Sequence, residues 1–96
     1  MSAQVMKGRH TIFVFVDTTS ANERKVLEEL MKIEEVREGH VISGQYDLLV
    51  VLTLDLYGQA IFTSVQEAAQ KIIDKIRRLK DVRDTNTIVP FFSVAK

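Results

Sequence analysis

Apolar residues recur along this chain in two periods, and the changes from one to the other mark out its elements. His10-Thr-Ile-Phe-Val-Phe-Val16 is rich in β-branched and aromatic residues and stops at Asp17-Thr-Thr-Ser, which predicts a first strand. The spacing then widens to threes and fours at Val26, Leu27, Leu30, Met31 and Ile33, predicting a helix to about Ile33. Ser20-Ala-Asn-Glu23 has the spacing of a capping box at its start. A second strand is predicted over Val36–Ser43 and a third, antiparallel to it, over Asp47–Leu54, joined by Ser43-Gly44-Gln45-Tyr46, where glycine admits positive φ. Ile61, Val65, Ala68, Ala69, Ile72, Ile73, Ile76 and Leu79 form the stripe of a long amphipathic helix. Ser64-Val-Gln-Glu67 offers a late capping box, but Ile61 and Val65 fit the same stripe, so the helix is expected to begin near Tyr57. Val82–Val94 closes the chain as a fourth strand.

The order β-α-β-β-α-β places both helices on one face of an antiparallel sheet, which is an α+β, ferredoxin-like sandwich. Pro90, without a backbone donor, belongs at a sheet edge, and the last strand of this topology is an edge strand. A sheet with one solvated face should alternate apolar and polar positions, and these strands do not. Ile12, Val14 and Val16 point one way and Phe13 and Phe15 the other; Leu48, Val50, Leu52 and Leu54 share a face opposite Leu49 and Val51. Two helices cover one face only, so the other would expose more apolar surface than a soluble monomer tolerates. The pattern predicts a homodimer paired sheet to sheet.

Length and charge narrow the function. Ninety-six residues hold one domain and one core, with residues 1–9 as a short N-terminal extension. Thirteen basic residues balance thirteen acidic ones, so the field that draws a protein onto phosphate or anionic lipid is missing, and no direct DNA binding is expected. Lys75, Arg77, Arg78 and Lys80 form a local basic run, read as the solvated C-terminal turns of a helix. The absence of cysteine removes disulfides, thiolate metal sites and cysteine nucleophiles. No secretory leader pattern and no membrane-length apolar run are present, which points to the cytoplasm.

Catalytic chemistry finds no residues to stand on. His10 and His40 lie on different strands without ligand-spaced partners, so neither a metal nor another cofactor is expected. No nucleophile elbow or phosphate loop occurs, and Glu34-Glu35 and Asp81/Asp84 are pairs in sequence only. The remaining polar features are the Gly44-Gln45-Tyr46-Asp47 turn and Thr85-Asn86-Thr87. Backbone N–H groups of a turn can hold a carboxylate and a neighbouring aspartate an ammonium, a pairing that suits an amino-acid-like ligand. An aspartate beside a turn can equally serve the hairpin backbone.

Glu35-Val36, Gly39-His-Val-Ile-Ser-Gly44-Gln-Tyr46-Asp47-Leu-Leu-Val50 and Val82-Arg-Asp-Thr85-Asn-Thr87-Ile-Val89 together resemble the effector-binding domain of the Lrp/AsnC transcription regulators. The resemblance runs from about Ile12 to Val94 in element order. It implies a domain that pairs through its sheets, assembles dimers into rings, and binds small effectors, commonly amino acids, between dimers. Carried over by position, Gly44, Tyr46 and Asp47 would line the ligand cleft from the hairpin, and Thr85 and Thr87 from the last strand. Regulators of this family carry an N-terminal helix-turn-helix domain that the residues before His10 are too few to form, so the chain looks like a stand-alone version acting through full-length relatives. It departs from the pattern at Lys80-Asp81, where Pro-Gly is usual, at Pro90, and in the longer Asp55–Lys80 segment. Two other readings are a small enzyme of the dimeric α/β-barrel type, whose cavity the bulky side chains on both sheet faces would fill, and a purely structural subunit.

Overall fold

The computed structural model describes residues 4–5, 9–19, 21–55, 62–90 and 94–95. The aromatic and β-branched run forms the long strand β2 (Arg9–Thr18), which follows the two-residue β1 (Gln4–Val5). Then come α1 (Glu23–Leu30), β3 (Val36–Val41), β4 (Leu48–Asp55), α2 (Phe62–Arg77), β5 (Val82–Ile88) and β6 (Val94–Ala95). The main sheet is antiparallel with strand order β3-β4-β2-β5, so the βαββαβ ferredoxin-like arrangement is the observed one and β5 is an edge strand.

Period-two alternation decides which side of each strand meets the helices. Ile12, Val14, Val16, Leu48, Val50 and Leu52 are completely buried against Val26 and Leu30 of α1 and Val65, Ala69, Ile72, Ile73 and Ile76 of α2. Each such side chain contributes about 1.5–3 kcal/mol on full burial, which makes this face the thermodynamic centre of the fold. On the opposite face Phe13, Phe15, Leu49 and Val51 remain half-buried and Ile88 is 47% exposed.

Several boundaries differ from the sequence expectation. The first helix starts at Glu23 behind Asn22, which makes no side-chain cap bond, so the Ser20 capping box does not define it; Ser20 itself lies outside the described residues. Ala21 takes φ 57, a turn that separates the strand end from the helix. The same helix ends at Leu30 because the chain tightens into i→i+3 bonds, with Lys32 N–H donating to Glu29 O and Ile33 N–H to Leu30 O. The proposed start of the second helix near Tyr57 falls outside the described residues, and since α2 already runs from Phe62, Ser64 lies inside it and not at its cap. The last long strand ends at Ile88, short of Val94, and Pro90 follows it. Val94 instead pairs with Val5 and Ala95 with Gln4, so the N-terminal extension includes a strand.

Gly39 shows how closely α1 packs on β3. A register shift between Val36 and Glu38 turns Gly39 toward the helix side, where a β-carbon would collide with Leu27 Cδ1 and stand 3.4 Å from Met31 Sδ. Gly39→Ala is expected to displace the Leu27 side chain and lower stability by about 1–2 kcal/mol, read as a lower urea midpoint with an unchanged slope.

Candidate functional site

The hairpin between β3 and β4 is tied down at its base by its own backbone. Ile42 N–H donates to Asp47 O at 2.9 Å, and Asp47 N–H donates across to Val16 O at 3.1 Å. Gly44 has φ 129, and a β-carbon there would meet nothing within 4 Å, so glycine answers a conformational need and not a steric one. Tyr46 lays its ring against Phe15, with centroids 5.6 Å apart and planes inclined by 35°, which places it on the open face of the sheet. Asp47 Oδ2 accepts from Thr18 N–H at 2.9 Å and from Thr18 Oγ1 at 3.0 Å. These two donors, the backbone N–H first, hold the Asp47 carboxyl below the usual carboxylate range. Beside it, Arg83 donates from Nε (3.0 Å) and Nη2 (2.6 Å) to Asp17 Oδ2.

Thr85 and Thr87 lie elsewhere. Thr85 pairs with Val16 and Thr87 with Val14, so both point to the helix side, and Thr85 is only 8% exposed. There they line an open cleft of about 450 Å³ between α2 and β5, together with Gln66, Gln70 and Arg77. Arg77 Nε donates to Thr85 Oγ1 at 3.0 Å, and Gln70 Nε2 donates to Asp74 Oδ1 at 2.9 Å. Within one chain, then, the five sequence-predicted residues fall into two sets: Gly44, Tyr46 and Asp47 at the hairpin, and Thr85 and Thr87 in the cleft beside α2. Gln66, Gln70 and Arg77 belong to no sequence motif, although their spacing along α2 puts them on one helix face. Arg77 was masked by the basic run around it.

Two other surfaces stand out among the described residues. On the open face, Ile88, Phe13 and Val51 form one row across three strands and Phe15 and Leu49 the next, making a continuous apolar area. A second cleft of about 470 Å³, on the β4 side of α2, is edged by Glu34, Arg37, Lys71 and Lys75. Glu35 also borders it, but its Oε1 is enclosed without a hydrogen-bond partner, so that oxygen is not presented to the cleft. Among the described residues no group of three histidine, cysteine or acidic side chains could hold a metal ion, and no helix is long and apolar enough to cross a membrane.

This arrangement has known relatives. An uncharacterized HTH-type transcriptional regulator of Pyrococcus abyssi is 33% identical over 72 residues, which make up 75% of this chain and 43% of the relative. The chain thus spans less than half the length of that regulator. Among solved structures, FFRP-DM1 superposes with a TM-score of 0.66 at 29% identity, covering 85% of this chain and 99% of its own. A transcriptional regulator of Neisseria meningitidis, solved as its L-Met complex, shares the fold with a TM-score of 0.62 at 14% identity, covering 85% of this chain and 49% of its own. Residues 11–95 match the model of the Lrp/AsnC ligand binding domain, and with the βαββαβ sheet, the hairpin and the threonine-bearing edge strand in place, the chain belongs to the Lrp/AsnC family of transcription regulators.

Proposed function

We propose that this domain binds a small effector, an amino acid by the chemistry of its polar residues, and couples that binding to self-association and to the activity of full-length regulators with which it co-assembles. The match of residues 11–95 to a ligand binding domain carries this reading. The balanced charge supports a regulatory role that leaves DNA contact to other chains. The apolar area on the open sheet face supports pairing with a second copy, since an isolated chain would leave Phe13 and Ile88 against water. A ligand bound between copies also accounts for the two-part site. Tyr46 and the threonines lie on opposite faces of the sheet, so a neighbouring copy that brings its hairpin to this cleft would let one ligand reach both sets. The L-Met bound by the Neisseria relative supports the amino-acid class.

Thermal denaturation of the purified protein with each of the twenty amino acids tests the reading. A saturating effector is expected to raise the melting temperature by several degrees, in proportion to the logarithm of its concentration above Kd. Twenty flat responses would refute the amino-acid class.

A further inference from the structure

Among the described residues, the cleft between α2 and β5 is lined by one cation and no acid. Of the described side chains that line it Arg77 alone is charged, while Gln66, Gln70, Thr85, Asn86 and Thr87 can hydrogen-bond and Ala69 and Ile73 are apolar and buried. We propose that this cleft is a receptor for a small monocarboxylate, with the Arg77 guanidinium as its anion-binding group; the proposal rests on the effector-binding reading and names the chemical class that this half of the site takes.

The hydrogen bond from Nε to Thr85 Oγ1 fixes the plane of the guanidinium, because Thr85 is itself immobilised at a buried strand position. Among the described residues neither Nη group has a hydrogen-bond partner, which leaves both with their donors in the fork geometry that matches a carboxylate. Among the described residues no carboxylate lies within ion-pair distance of Arg77. Arg83 provides the contrast, since it stands on the same sheet edge with Nε and Nη2 both bonded to Asp17. Asp74, three residues before Arg77 on α2, accepts the Gln70 amide instead. An arginine held in place by a neutral hydroxyl, beside amides and an apolar wall, offers one positive charge to a guest with one negative charge and a small remainder. Holding the side chain in advance also reduces the entropy lost when the guest binds.

Nitrogen-15 NMR titration of the whole protein with sodium propionate, with propionamide as the uncharged control, tests the cleft directly. Saturable shifts are expected at the Arg77 Nε–H and at the amides of Thr85, Asn86 and Thr87 with propionate and not with propionamide. Arg77→Gln is expected to weaken propionate at least tenfold, and Arg77→Lys, which keeps the charge without the fork, by less. Shifts that fail to saturate, or an affinity unchanged in Arg77→Gln, would overturn the assignment. So would a variant that melts earlier yet binds as well as wild type, for that is the behaviour of an arginine serving Thr85 alone. The same titration with the twenty amino acids separates this proposal from the reading beneath it. An amino acid that binds wild type and Arg77→Gln equally, with shifts confined to the hairpin, defeats the cleft and leaves the effector role standing. Saturable propionate binding at Arg77 with no response to any amino acid defeats the amino-acid class and leaves the cleft.

Discussion

The wild-type protein is expected to sediment as a dimer or a multiple of one, and a Phe13→Asp variant as a folded monomer at the same concentration. Phe13 sits on the central strand β2 between Ile88 of β5 and Val51 of β4, so its side chain faces apolar neighbours on both sides. Its own core-side neighbours Ile12 and Val14 are completely buried, so the substitution leaves the packing against the helices untouched. A carboxylate there stays hydrated while the face is open, and becomes an unpaired buried charge once a second sheet covers it. At about 3 kcal/mol per copy, and with two copies meeting in a symmetric pair, the loss of about 6 kcal/mol corresponds to a dissociation constant raised by about 10⁴. Sedimentation velocity reads the change, and circular dichroism confirms that the monomer is folded. A dimer that survives Phe13→Asp would remove the open face as the pairing surface. Phe13→Ser, which lowers strand propensity without adding charge, separates an electrostatic effect from simple loss of apolar contact.

The sheet and its core face were readable from sequence because they depend on local alternation: the residues read as pointing together from β2 and β4 are the ones buried against the helices. The ends of elements were less readable, because they depend on single backbone conformations. Asn22 precedes the first helix without a side-chain cap, and Ala21 turns the chain at positive φ, which no pattern of apolar residues announces. Asp81 illustrates the same point. It stands at the second position of the Lys80-Asp81 pair and takes φ 71, a conformation that glycine adopts freely, while its Oδ1 accepts from Thr19 Oγ1 at 3.1 Å and its carbonyl accepts from Thr19 N–H at 2.9 Å. Aspartate is among the few side chains that tolerate this region, and the link to Thr19 fixes the entry to β5 where the familiar Pro-Gly is missing. The pairing of β1 with β6 was not legible, since a two-residue strand carries no period. Of the candidate site, the positive φ of Gly44 and the placement of the threonines on an edge strand were legible. Arg77 was not, because its role depends on which face of α2 overhangs the β5 edge.

Asp47 carries the remaining prediction, since its geometry gives it structural work within the chain. Thr18 is 5% exposed, and its N–H and hydroxyl both donate to Asp47 Oδ2. Asp47→Ala removes the shared acceptor and leaves two donors at a buried residue. Hydrogen bonds to a charged group are worth about 1.5–3 kcal/mol each and are not additive when they share an atom, so a loss of about 3 kcal/mol at neutral pH is expected. Asp47→Asn, which keeps an oxygen acceptor without the charge, should lose less. The pH dependence follows from the direction of the shift. Because the folded carboxyl is held below the ordinary value, its contribution is fully present above that value, near 4 for aspartate, and is lost as pH falls through the lower folded one. Urea midpoints of wild type and Asp47→Asn should therefore differ at pH 7 and converge in acid below about pH 4. Calorimetry with the amino acid found by thermal denaturation separates the two roles open to this residue. Unchanged affinity with lowered stability makes Asp47 the anchor of the hairpin on β2, whereas weakened binding at unchanged stability makes it the group that faces the ligand ammonium.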